Sequence, residues 1–383
     1  MRGDKKRLSY YSYDSPGNPW LSGGGALRDF EILKRQRGSW ASINLFVGGY
    51  PGFVPGEREG IRYRALGSGK SYLLSRLAFT LFANLRVLFD TADAIGNSIS
   101  AYAPLLAGLL RPGRFYLVAH HYVGGRSKEK YSLLGRFAWA GEWLLFRFCR
   151  RLIVSNGEVA ARARAMNPGI HLLQTQNGFD PALLAPEPEE AVPPFLLFVG
   201  RFDIYMKGLD RLVAAFAALH PGERGSLRLI FAGAASPQAL AAVQELAAGA
   251  IAADANAGLR IELEPNVAEA RKRELLRTCL FFVSPSRFEG WGIAALEANA
   301  AGKAVLATRA DGFLDSLKDG YAALLVPVDD ADALLKGMRD LIADATLRRK
   351  LAGNGRDWAA RFTWEGIAAR EREWLGTALG ETL

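Results

Sequence analysis

Two glutamates, Glu289 and Glu297, frame the stretch Glu-Gly-Trp-Gly-Ile-Ala-Ala-Leu-Glu, which follows the turn-forming Ser-Pro-Ser-Arg-Phe in the second half of the chain. Gly290, Trp291, Gly292 and Ile293 lead into an Ala-rich helical segment, so their amides are unpaired and lie where the helix dipole is positive. Such a turn binds anions, above all phosphates. Glu297 follows Ile293 by about one helical turn and shares its apolar sector. A carboxylate on that face is expected to be partly buried and to accept from a donor such as a diol. Glu289 stays in the loop, beside the anion site.

Two cations fit the same chemistry. Arg201 follows the apolar run Phe195 to Gly200, and Lys207 comes six residues later, ahead of a helix carrying Leu209, Leu212, Val213 and Phe216. Both are expected at the carboxyl edge of a sheet, the edge where Glu289 also stands. Arginine grips phosphate oxygens bidentately and lysine adds a point charge. In the first half, Ser22-Gly23-Gly24-Gly25 follows the first strand; Gly24 and Gly25 let the chain approach a ligand closely, although the run also suits a plain flexible connector. His120 and His121, two of the four histidines, end the strand Phe115 to Ala119, where either can face a ligand or serve as a core histidine.

The elements that must position these groups alternate throughout. The strand-helix-strand unit Leu280 to Thr308 is the clearest: apolar run, loop, helix from about Gly292, Gly302 stop, apolar run. In the first half the pattern predicts strands at Lys6 to Ser12, Ala41 to Val47, Ile61 to Leu66, Val87 to Asp90, Phe115 to His120, Leu152 to Ser155 and Ile170 to Gln174. Helices are predicted at Ala26 to Arg37, Ser71 to Leu85, Ser98 to Leu110, Tyr131 to Cys149 and Glu158 to Met166. Short apolar strands between helices mean parallel sheets covered on both faces. The fold class is therefore α/β, with two Rossmann-like domains facing across a cleft. Residues 1–183 form the first domain, the Pro- and acid-rich stretch 184–194 the linker, 195–355 the second domain and 356–383 a helical tail.

Composition excludes several classes. A chain of 383 residues that is 50% hydrophobic and 23% charged supports two cores. Its net charge of +9 is spread along the chain without a base-reading module or zinc-finger spacing, so nucleic acid is not the expected partner. Cys149 and Cys279, far apart, give neither a disulfide framework nor metal-ligand spacing and suit a reducing cytoplasm. Asp330-Ala331-Asp332 reads as a helix cap, and no metal site is expected. The amino terminus lacks a signal-like apolar core, and Tyr72 to Phe89 is interrupted by Arg76 and Arg86, so no spanning helix is expected. Basic residues beside apolar and aromatic ones, from Lys70 to Arg86 and from Arg136 to Arg151, suit either an anionic membrane surface or ordinary core packing with arginines at helix ends.

The spacing of Glu289 and Glu297 in this context resembles the Glu-x7-Glu motif of the retaining glycosyltransferases of family four, which have the GT-B architecture. The resemblance implies transfer of a sugar from a nucleotide-sugar donor, bound as substrate, to an acceptor hydroxyl, with retention, no cofactor and no essential metal. It assigns Glu297 to the ribose hydroxyls, Glu289 to the donor sugar, and the amides of Gly290 to Ile293 to the diphosphate. Arg201 and Lys207 resemble the family's diphosphate clamp, and Gly24 and Gly25 its glycine-rich loop near the donor phosphate and acceptor. His120 aligns most naturally with a histidine near the reacting sugar. The tail from Arg356 is expected to cross back to the first domain. Acceptors consistent with this are glycans, lipid-linked sugars or small molecules, in cell-surface glycan or glycolipid synthesis, in the cytoplasm or at the inner face of the membrane. A sugar-nucleotide epimerase of similar fold, or a non-catalytic sugar-binding protein, would share much of this pattern.

Overall fold

The computed structural model describes residues 5–20, 23–100, 102–120, 136, 139–184, 190–254 and 258–380. They fall into two compact units: Met1–Asn177 with Trp364–Leu383, and Gly178–Thr363. His121, Ser22 and part of the expected linker lie outside the described residues.

The first unit holds strands β1 (Arg7–Tyr11), β2 (Ser42–Gly48), β3 (Gly56–Arg58), β4 (Ile61–Leu66), β5 (Ala94–Ser98), β6 (Phe115–Ala119), β7 (Arg151–Val154) and β8 (His171–Gln174). Among the described residues they order as β3-β4-β2-β1-β5-β6-β7-β8, parallel except for the β3–β4 pair. The second unit holds β9 (Phe195–Val199), β10 (Arg228–Gly233), β11 (Ile261–Pro265), β12 (Phe281–Ser284), β13 (Val305–Thr308) and β14 (Leu324–Val326), all parallel in the order β11-β10-β9-β12-β13-β14. Alternate residues feed opposite faces: Leu197 and Phe282 join one buried cluster, Leu196, Phe198 and Phe281 the other. In each sheet the winding reverses beside the first strand, between β1 and β5 and between β9 and β12. Loops leaving the carboxyl ends of those strands diverge and leave room for a ligand.

Three expectations change. The segment Val87 to Asp90 is not a strand: the helix Tyr72–Phe89 runs through it, because Ser75, Phe79, Ala83 and Val87 recur every fourth residue and are all buried. By length and composition that helix could cross a membrane despite Arg76 and Arg86. The expected helix Ser98 to Leu110 is instead the end of β5 followed by a short helix, Ala107–Leu110. β5 runs Ala-Ile-Gly-Asn-Ser yet is fully buried, and Gly96 is required there because a Cβ would collide with the rings of Tyr10 and Tyr116.

Domain boundaries also move. Residues from Gly178 belong to the second unit, where Phe179 and Leu183 join a buried cluster and Arg273 pairs with Asp180 at 2.8 Å. The helix Ala345–Ala359 stays in that unit, packed on the helix Ile293–Ala300, and the return to the first unit comes at Trp364 rather than Arg356. There the helix Trp364–Ala378 lies on the helix Gly24–Gln36, fixed by a buried Arg28–Glu371 ion pair and by Arg35 Nε donating to Glu365 at 2.7 Å.

Candidate functional site

In the second unit the loops after β9 and β12 interlock. The amides of Arg287 and Phe288 donate to the Met206 carbonyl at 3.0 and 3.3 Å, and the Arg287 guanidinium binds Asp210 through two nitrogens, at 3.0 and 2.9 Å. This fixes Lys207, at the end of the helix Ile204–Lys207, against Glu289: Lys207 Nζ donates to Glu289 Oε2 at 2.7 Å, with both side chains 16% exposed. The Gly290 amide donates to the other Glu289 oxygen at 3.2 Å. Gly292, at φ +90°, occupies the left-handed region, and a Cβ there would collide with the Phe313 ring. Only glycine permits that turn into the helix. Trp291 is not a surface group; it is buried against Phe362, edge to face at 5.8 Å, and anchors the loop. Arg201 is exposed and has no side-chain partner among the described residues, which leaves its guanidinium open to an anion.

Glu297 is 3% exposed, as its sector implies. Its partner is one the sequence did not reveal: Lys272, from the helix Glu269–Thr278, donates to Glu297 Oε1 at 3.0 Å and pairs with Glu269 at 2.8 Å. Burial raises the Glu297 carboxyl above its ordinary range, offset in part by Lys272. Burial works against the Lys272 charge, but Glu297 and Glu269 outweigh it and raise its pKa.

The first unit gathers a different group at the carboxyl ends of β1, β5 and β6. Asp29, on the helix Gly24–Gln36, accepts from Tyr10 Oη at 2.8 Å and from Ser12 Oγ at 3.1 Å. His120 Nε2 lies 3.5 Å from Asp29 Oδ1 and 3.2 Å from Ser98 Oγ. Burial alone would push the Asp29 carboxyl up; the hydrogen bond and charge of His120, then the charge of Arg28, hold it below its ordinary value. Gly24 and Gly25 lie in the first helical turn, not in a loop, and a Cβ on Gly25 would stand 2.9 Å from His120 Cδ2. His120 and Gly25 are therefore neighbours, and Asp29 is a further site residue that sequence reasoning missed. A cavity of about 10 Å³ beside Arg28, Asp29 and Glu371 is water-sized and too small for a sugar. Among the described residues no cluster of His, Cys, Asp or Glu is arranged to hold a metal.

The second unit is doubly wound, and its switch point carries cations, helix amides and carboxylates; residues 182–358, which make up most of it, match the family described as glycosyl transferases group 1. The chain is 33% identical over 187 residues to the D-inositol 3-phosphate glycosyltransferase of Acidothermus cellulolyticus, covering 47% of this chain and 41% of the relative. It is 29% identical over 225 residues to the phosphatidyl-myo-inositol mannosyltransferase of Mycolicibacterium smegmatis, covering 57% and 55%. The matches thus span about half the length of these curated relatives. Among solved structures, HepE of Anabaena in complex with UDP and glucose superposes with a TM-score of 0.75 at 19% identity, over 97% of this chain and 100% of that one. At that identity the likeness establishes the fold, which is GT-B.

Proposed function

We propose that the protein is a retaining, metal-independent glycosyltransferase that moves a sugar from a nucleotide-sugar to an acceptor hydroxyl in cell-surface glycan or glycolipid synthesis. The observation that carries this is the Lys207–Glu289 pair at the switch point, next to the amides that open the helix Ile293–Ala300. In this reading Arg201, Lys207 and the amides of Gly290, Trp291, Gly292 and Ile293 hold the diphosphate. Buried Glu297, paired with Lys272, accepts from the ribose hydroxyls. Glu289 borders the donor sugar, and the first unit contributes His120, which Asp29 and Ser98 orient beside Gly24 and Gly25.

The bond from the anomeric carbon to the phosphate oxygen breaks with its electron pair leaving on the diphosphate. The acceptor oxygen attacks the same face, and its proton passes to a donor phosphate oxygen. No protein nucleophile is assigned. The negative charge that grows on the diphosphate is met by fixed cations and dipoles, which is where the rate acceleration arises. HepE, which is named with UDP and glucose, supports a uridine nucleotide as the first donor to try, and relatives named for inositol phosphate and phosphatidylinositol support a phosphorylated polyol or lipid-linked acceptor. Both free cysteines are buried, which suits a reducing compartment, and we place the reaction in the cytoplasm.

The test is turnover with a panel of nucleotide-sugars and acceptors in the presence of chelator, with the product's anomeric configuration read by NMR. Acceptor-dependent release of nucleoside diphosphate with retained configuration is expected. An inverted product, a strict metal requirement, or interconversion of the donor sugar without transfer would overturn the proposal.

A further inference from the structure

The helix Tyr72–Phe89 has two apolar faces. One, carrying Ser75, Phe79, Ala83 and Val87, is buried on β2 and β4. Helices on the outside of a sheet normally turn polar residues to water. Here Leu73, Leu77, Leu81, Leu85 and Leu88, spaced by four, four, four and three residues, are 40–57% exposed on the opposite side. Leu74, Phe82 and Phe89 widen that stripe, with Phe89 80% exposed. At about 100° per residue the exposed apolar residues cover roughly half the helix circumference, over ~27 Å of length.

The patch continues onto its neighbours. Thr80 Oγ1 donates to the Tyr102 carbonyl at 3.2 Å and the Leu106 amide to Asn84 Oδ1 at 3.0 Å, which brings exposed Leu106, Leu109 and Leu110 alongside. Gly108 in turn sits against the Phe148 carbonyl, at the end of the helical residues 139–148, where Trp143 and Phe148 are 41% and 36% exposed. Contiguous exposed apolar surface of this extent marks an interaction site.

Charge selects the occupant. Lys70, Arg114 and Arg147 are exposed on these segments and Arg150 just beyond them, residues 70–89 and 94–120 contain no acid, and the acid of residues 139–148, Glu142, is buried. A second copy of the chain docking by two-fold symmetry would set this basic rim against itself. An anionic lipid surface complements it, with apolar side chains entering the acyl boundary and cations at the headgroups. Because the opposite face is built into the sheet domain, the helix lies on the bilayer and does not cross it. We propose that this face, centred on Tyr72–Phe89, is a docking surface for an anionic phospholipid bilayer. The inference is independent of the donor chemistry and is tested without it.

The whole protein is sedimented with vesicles of phosphatidylcholine alone and of phosphatidylcholine containing phosphatidylglycerol, at low and moderate salt, beside the variants Leu77→Glu/Leu81→Glu and Lys70→Glu/Arg147→Glu. Lipid-free light scattering gives the oligomeric state. Binding to the anionic vesicles that weakens with salt is expected, reduced about tenfold or more in both variants. The Leu variant should keep the wild-type melting temperature, since both side chains are already exposed. Protein that stays in the supernatant, binds both vesicle types alike, or forms a lipid-free dimer that Leu77→Glu/Leu81→Glu dissociates would overturn the proposal.

Discussion

The two sheets solve the same positioning problem by different means. In the second unit the switch point is lined by ions within reach of water: Lys207 and Glu289 are each 16% exposed, and Arg201 is exposed and unpaired among the described residues. In the first unit the corresponding crevice is organised from below, by Asp29 and the Arg28–Glu371 pair, all nearly inaccessible. Charges near solvent are cheap to keep and free to meet a ligand, whereas buried ones hold neighbouring groups in place and are costly to disturb. Substitutions in the second unit should therefore change chemistry and binding, and those in the first unit stability and orientation.

The largest expected effect breaks the buried pair. Glu371→Ala leaves the buried Arg28 guanidinium without its ion-pair partner and should cost about 3–5 kcal/mol in the urea unfolding of the first unit. A loss under about 1 kcal/mol would mean that the tail helix is held by apolar contacts alone.

Next comes Lys207→Ala. Its effect should fall on kcat, by roughly 10²–10³, with a smaller change in the dissociation constant of the donor, because the charge it faces grows in the transition state. Steady-state rates with and without chelator check both this and the absence of a metal requirement. A variant that changes affinity alone would make Lys207 a plain anchor.

The contrast between the units also governed what could be read from the chain alone. The places of Glu289, Glu297, Arg201 and Lys207 in the fold could be read from the chain because each belongs to a strand-loop-helix run whose apolar pattern is local. Lys272 was not, since it reaches Glu297 from another helix 25 residues away, and nothing in its own helix distinguishes it from Arg271 or Arg273. Arg28 and Glu371 are separated by 343 residues, and Asp29 looks like any acid near a helix start. β5 was invisible for another reason: Gly96, Asn97 and Ser98 carry no apolar signal, yet the strand is buried and the flanking tyrosines make glycine necessary at position 96. The helix Tyr72–Phe89 was found but cut short, because a helix apolar on both faces gives no period that marks its end.

A smaller effect sharpens the comparison through pH. Asp29 has a folded pKa below its unfolded value of about 3.9, so its contribution to stability is complete above that pH and is lost as pH falls through the folded value. Asp29→Asn should destabilise the first unit by roughly 1–3 kcal/mol at neutral pH and flatten the acid limb of its stability profile. The kcat of the variant should fall while donor affinity, which the proposed function assigns to the second unit, stays near wild type. An unchanged acid limb would show that Asp29 does not carry its charge in the folded state.

The most direct test of the account is calorimetric titration of the wild-type protein and of Glu297→Ala with nucleoside diphosphate in chelator. The account predicts that the wild type binds without metal and that Glu297→Ala weakens binding by about 2–3 kcal/mol, roughly 30- to 150-fold, as the ribose hydroxyls lose a charged acceptor. Equal affinity in the two proteins, or binding by the wild type only when a divalent cation is added, would contradict it.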